Sequence, residues 1–320
     1  MSDFDKYIRQ GEPDSKEKAR MWQTAIGLQD VDGLKPSEYL LQTAGRHIEG
    51  EITIGEAKHL IDNYYQSKAA RKDIEDERTE EADKVSARIT EILSEKSFSF
   101  TPDYLILIHR RLFEGLYKFA GKLRDYDITK KEWVLDGDTV LYSSHELIRQ
   151  TLEYDFGQEK SVNYPSLDAG QALMHICKFV SDIWQVHPFG EGNTRATAVF
   201  TMKYLHTFGF TFDNSVFQEH SWYFRNALVR ANYNNYSKGI SATTSFLELF
   251  FRNLLFGEKN GLHNRALHIT APQRQSRSHS NRDCGTYRQI SQNCQANDAI
   301  FDRTRLAGTG KREKKREMGR

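Results

Sequence analysis

A chain of 320 residues with 38% hydrophobic and 28% charged residues can bury one sizeable core and a smaller satellite. No apolar run approaches the roughly 18 to 20 residues of a membrane helix, and the start Met1-Ser2-Asp3-Phe4-Asp5-Lys6 lacks the basic, then apolar, layout of a secretory signal. A membrane partner is therefore not expected and a cytoplasmic address is. Three cysteines, Cys177, Cys284 and Cys294, without CxxC spacing give no sign of a disulfide framework or a zinc site. The formal net charge of +1 hides a split: residues 271–320 hold twelve Lys/Arg against five Asp/Glu, which is +7 and leaves −6 for the rest.

Apolar spacing along the body is mainly helical, so the expected fold class is all-α. The segment Ala69 to Leu93 is rich in charge, with Ile74, Val85, Ile89 and Ile92 as an apolar thread, and reads as a helix with a solvated face to which no chemistry is assigned. A helix is expected over Asp103 to Phe119, with apolar residues from Ile106 to Tyr117 at steps of three and four. From Lys131 to Tyr142 the rhythm changes. Two β-prone runs flank Asp136-Gly137, the signal of a β-hairpin.

The next stretch, Leu173, Ile176, Cys177, Val180, Ile183 and Trp184, predicts a helix with one buried face that ends near Val186. Pro188 stops it, because the residue before a proline is pushed out of the α region. A new helix begins in the apolar run from Ala196 to Leu205, and others are expected from His220 to Ala231 and from Thr243 to Phe256, the last ended by Gly257. The Ser-, Arg- and Gln-rich tail from Ala271 cannot offset its ordering entropy by burial and is expected to be disordered.

The most informative segment is His187-Pro188-Phe189-Gly190-Glu191-Gly192-Asn193-Thr194-Arg195, between two helices. Gly190 and Gly192 permit tight turns and close approach of a ligand, and the free amides of the following helix form an anion site. Around it stand a base matched to neutral pH, His187, a carboxylate suited to Mg²⁺ beside phosphates, Glu191, a neutral polar side chain, Asn193, and a guanidinium, Arg195. These are the parts of a phosphate-handling loop.

The segment resembles the signature of the Fic family, HPFx[D/E]GNxR. The resemblance extends over about Tyr39 to Leu255, through Ile108-His109, Leu112-Phe113, Ala120-Gly121 and Arg124 ahead of the hairpin, and Trp222 to Leu228 after the motif. It implies a compact Fic-type helical bundle with a small β-hairpin flap, divided into an N-terminal helical region (1–95), a core (96–260) and the basic tail (271–320). It also implies a protein adenylyltransferase that moves AMP from ATP to a Ser, Thr or Tyr hydroxyl of a target protein, the chain itself included.

In that reading His187 is the general base and Glu191 holds Mg²⁺. Gly190, Gly192, Asn193, Thr194 and Arg195 bind the nucleotide phosphates, and Phe189 is a buried anchor. Tyr223 and Asn232, with Phe224 and Tyr233, fall where the base pocket is built. Val134, Leu135, Asp136 and Gly137 belong to the flap that receives the target as an added strand. The Thr43 to Glu51 segment is similar to the family's inhibitory helix motif, which makes Glu49 a regulatory residue.

Three positions depart from the family pattern: Thr194 replaces a glycine, Ala198 replaces a second arginine that contacts the terminal phosphate, and Gly45 stands at the Ser/Thr position of the inhibitory motif. The missing guanidinium leaves open an altered donor, or a non-catalytic nucleotide-binding module that acts as a protein-interaction or regulatory protein. The tail is too short and too poor in apolar residues for a helix-turn-helix, so nucleic acid is not an expected partner. Oligomeric state stays open, a homodimer included.

Overall fold

Side-chain caps fix where several helices begin. Ser37 accepts a hydrogen bond from the Leu40 amide, Thr101 does the same for Tyr104 with Pro102 in the first turn, and Asp168 forms a reciprocal capping box with Gln171. The structure, a computed structural model, describes residues 13–68, 74–210 and 215–270. Its helices are α1 (Pro13–Gly27), α2 (Glu38–Ile48), α3 (Ile54–Lys68), α4 (Ile74–Ser94), α5 (Pro102–Phe113), α6 (Ile148–Lys160), α7 (Ala169–Val186), α8 (Asn193–Thr207), α9 (Ser215–Ala231), α10 (Ser245–Phe256) and α11 (Asn264–Leu267). The fold is all-α. Among the described residues no helix is long and apolar enough to cross a membrane.

The larger core is built around α7 and α8. Every residue of α8 from Asn193 to Leu205 is buried, so this helix is enclosed on all sides by α5, α7, α4 and the short 3₁₀ turn Leu28–Asp32. Aromatic rings fill one flank: Phe100, Phe156, Phe179, Phe200 and Tyr204 meet with centroids 4.6 to 6.5 Å apart. A smaller cluster, Ala19, Trp22, Leu40, Ala44, Ile48, Ala57, Ile61 and Tyr65, binds α1, α2 and α3 to each other. Helix α1 crosses α9 closely at Gly27, where a Cβ would lie 2.4 Å from the backbone of Gln218.

Three expectations change. The hairpin does not form: Trp133–Leu135 is a 3₁₀ turn, and the sole β pairing among the described residues is the bridge between Asn235 and Ile240. The tight turn is real, with Asp136 and Gly137 at φ 56° and 83°. A strand would alternate its faces, however, and here the adjacent Val134 and Leu135 are both 0% exposed. The core claims both side chains, which coils the backbone, and the Val134 carbonyl accepts from the Ile269 amide instead of a hairpin partner.

The helix expected to Phe119 ends at Phe113, because Glu114 leaves helical geometry and Gly115 takes φ 77°. The charged helix, described from Ile74, is also more than a solvated face. Asp83 is fully buried and accepts from Ser37 and from the Tyr65 hydroxyl, while Glu81 reaches the motif loop. The tail 271–320, with Cys284 and Cys294, lies outside the described residues, as do residues 69–73.

Gly27→Ala inserts a methyl group into backbone with no room to yield. Chemical denaturation should show a loss of about 1 to 3 kcal/mol for this overpacking, with secondary structure by circular dichroism unchanged below the transition.

Candidate functional site

The motif loop joins α7 to α8 and is held from several sides. His187 leaves α7 in the left-handed region, φ 48°, and Gly192 enters α8 at φ 77°. A Cβ at Gly192 would lie 2.4 Å from the Phe113 ring, so glycine is required there on two counts. Asn193 clasps the loop: its side chain accepts from the Phe189 amide at 2.9 Å and donates to the Phe189 carbonyl at 2.8 Å. The Arg124 guanidinium, with no exposed side-chain surface, donates to the carbonyls of His187, Tyr126, Val186 and Ser143. Its own amide donates to Pro188.

A second brace is His109 on α5. Its ring stacks on Phe189 at 3.7 Å, and its Nδ1 accepts from the Gly121 amide at 2.9 Å. That partner assigns the proton to Nε2, which donates to the Glu191 carbonyl at 2.9 Å. Burial pushes the His109 pKa down to about 4, so the ring is neutral at pH 7.

His187 is 3% exposed, and burial holds its pKa well below the ordinary value, with Lys130, Arg225 and Arg124 acting in the same direction. Its Nδ1 lies 3.3 Å from the Trp184 carbonyl, which places the proton on Nδ1. Nε2 is buried without a hydrogen-bond partner. Tyr142 packs on the ring at 4.3 Å, and its hydroxyl points away to Glu132, which is itself paired with Arg225 at 2.7 Å. A neutral imidazole with a free lone pair can accept a proton from a hydroxyl brought to it.

At the loop mouth Glu191 is exposed and pairs with Lys130, whose Nζ is 2.9 Å from Oε2. A positive charge already settles on this carboxylate, as a divalent cation would. Among the described residues no group of three or more His, Cys, Asp or Glu surrounds it. One carboxylate suits Mg²⁺ bound mainly through water and phosphate oxygens. Thr194, where the family has glycine, is buried and accepts from the Trp184 indole N–H at 3.0 Å, so its hydroxyl braces α7 against α8.

Arg195 sits in an unexpected place. Its guanidinium is 1% exposed and meets Glu81 at 2.6 Å, Asp32 at 2.8 Å, the Gln29 side-chain Oε1 at 3.0 Å and the Tyr117 hydroxyl at 3.3 Å, with the Phe113 ring 4.7 Å below. Two carboxylates already occupy its charge. Ala198, three residues further along α8, is wholly buried and offers none.

The remaining expected residues are spread wider. Tyr223 is buried and donates to the Phe246 carbonyl, Phe224 is core, and Asn232 donates to Ser181 and to the Leu228 carbonyl, which ties α9 to α7. Tyr233 reaches the turn after Gly137 through Asp138 at 2.6 Å. Of the flap residues, Asp136 and Gly137 are exposed, whereas Val134 and Leu135 are core. Glu49 is exposed at the end of α2, beside a groove lined by Lys18, His47, Gly50, Glu51, Thr53 and Glu56.

Comparison with known proteins gives a match of residues 99–205 to the Fic/DOC family. The chain carries a Fic/DOC family domain. It is 28% identical over 117 residues to the protein adenylyltransferase VbhT of Bartonella schoenbuchensis, a match covering 37% of this chain and 23% of that protein. No solved structure is matched.

Some partners of the Fic/DOC motif were invisible in sequence. Glu81 lies 114 positions from Arg195, Gln29 lies 166 away, and Lys130 lies 61 from Glu191, so no local spacing could pair them. His109 and Arg124 stood in recognised segments, but their bracing role needed the fold.

The depressed His109 pKa makes stability pH-dependent. The unfolded ring takes up a proton below about pH 6.5 and the folded one does not until about pH 4, so the stability is fully present above 6.5 and is lost as pH falls to 4. This residue should contribute a loss of about 3 kcal/mol across that window. Urea titrations of wild type and His109→Gln from pH 7 to 4 measure it: the variant should be less stable at pH 7 but show the shallower decline.

Proposed function

We propose that the Fic/DOC domain transfers a nucleotide monophosphate, with AMP from ATP as the leading donor, onto a Ser, Thr or Tyr hydroxyl of a protein target. The observation that carries this reading is the His187 Nε2, buried, neutral and without a partner, at the end of a loop whose following helix begins with free amides. The name of VbhT, a protein adenylyltransferase, supports it over the shared segment.

In the proposed step the target oxygen attacks the α-phosphorus in line and its proton passes to His187 Nε2. The new oxygen–phosphorus bond forms as the bond from the α-phosphorus to the bridging oxygen breaks, and pyrophosphate leaves. Amides at Gly190, Gly192, Asn193 and Thr194 take the phosphate charge. Glu191 holds Mg²⁺, which when bound neutralises phosphate oxygens. Tyr223, which fixes α9 on α10, and Asn232, which fixes it on α7, shape the base pocket, and Asp136 and Gly137 present the exposed part of the flap to the target.

A second reading has its own observation. Arg195 is already shared by Asp32 and Glu81, and position 198 has no guanidinium, which favours an altered donor or a nucleotide-binding module without turnover. Mass spectrometry of the protein after incubation with a panel of nucleoside triphosphates and Mg²⁺ separates the readings, since the mass added names the donor. With ATP, label should be retained from the α position and not from the γ position. His187→Ala should lower that labelling by about 10²- to 10⁴-fold; full activity in this variant would end the proposal.

Regulation by Glu49 belongs to the same reading. Glu49→Gly should raise automodification, and rates equal to wild type would remove Glu49 from regulation.

A further inference from the structure

The proposed donor carries several negative charges to a loop that already holds one on Glu191, so the site requires cations. The two arginine positions of the signature do not supply them here, because Arg195 is neutralised by Asp32 and Glu81 and position 198 is a buried alanine. Three other cations act on His187: Lys130, Arg225 and Arg124. Arg124 donates to four backbone carbonyls and lies 3.7 Å from Asp127, and Arg225 is bound to the buried Glu132. Lys130 alone of these three pairs with a carboxylate of the motif loop, the exposed Glu191.

Its position is built. The Lys130 amide donates to the Thr139 hydroxyl at 3.3 Å, and the neighbouring Glu132 amide donates to the Asp138 carbonyl at 2.9 Å, which fixes the segment against the turn. Lys130 therefore faces the motif loop from the flap side, about the length of one hydrogen bond from the carboxylate assigned to the metal.

We propose that Lys130 is a ligand of the β- and γ-phosphates of the donor, held on Glu191 until a divalent cation arriving with the nucleotide displaces it. This rests on the nucleotidyl-transfer reading above. An exposed ion pair is weakly held, so a doubly charged cation readily displaces the ammonium. The freed ammonium would then be available to the donor phosphates, next to the carboxylate that would hold the cation. A charge supplied from the flap wall thus serves where the signature has its second arginine.

Calorimetric titration of the full chain with Mg²⁺ and ATP, ADP or AMP tests this, alongside Mn²⁺ titration of nucleotide-free protein by electron paramagnetic resonance. Lys130→Met should bind ATP about ten- to a hundredfold more weakly, the loss expected for a hydrogen bond to a charged group, and AMP within about twofold of wild type. Without nucleotide it should bind Mn²⁺ about two- to fivefold more tightly, since a competing cation is gone. Lys130→Arg keeps the charge and should retain most ATP binding.

Equal losses for ATP and AMP, equal losses in the Met and Arg variants, or an unchanged Mn²⁺ affinity in Lys130→Met would each overturn the inference. Glu191→Gln separates its failure from that of the underlying reading. If wild type binds Mg²⁺-ATP and Glu191→Gln loses the metal dependence, the lysine result stands on its own; if wild type shows no metal-dependent nucleotide binding, both fall.

Discussion

A guanidinium that is 1% exposed cannot remain uncompensated, and the compensation of Arg195 ties distant parts of the chain together. Asp32 and Gln29 come from the 3₁₀ turn after α1, Glu81 from α4, and Tyr117 from the loop after α5. All four must be in place for the charge to be stable at the first turn of α8. The N-terminal helices are thereby registered against the Fic/DOC loop, not simply packed beside it. Removal of both acids would leave the buried cation unpaired, a change that costs about 3 to 5 kcal/mol in comparable pairs.

The same loop treats its other charges in the opposite way. Glu191 is exposed and balanced by a single lysine, while His187 is buried and kept neutral. The charge that ties helices together is paired inside, and the charge at the mouth is paired at the surface. His109, Arg124, Asn193 and the Trp184 to Thr194 bond hold the backbone between them, so the orphaned Nε2 of His187 keeps one position relative to the amides of α8. A fixed imidazole nitrogen beside the first amides of a helix is the arrangement that the proposed transfer would use.

Several elements were legible in sequence because local rules decide them. Helix α7 carries its periodic apolar face and ends at the proline, and α10 ends at Gly257 in the left-handed region. The Asp136-Gly137 turn was also legible, but the strands around it were not. Intrinsic β preference lost to the burial of Val134 and Leu135 together, which depends on a core assembled from residues far along the chain. In α4 the charge density suggested solvent, whereas Asp83 and Glu81 face partners brought by α2, α3 and α8.

By itself the sequence determined the helical class and the turn between two helices that carries His187, Glu191 and two glycines, since those follow from apolar spacing, the proline and glycine conformations. Only the tertiary structure decided which charges are paired inside and which lie at the surface. Arg195 reads in sequence as a phosphate ligand and in space as the buried partner of Asp32 and Glu81, while Lys130, unremarkable in sequence, stands on Glu191. Coulomb interactions depend on distance and burial, and sequence separation fixes neither.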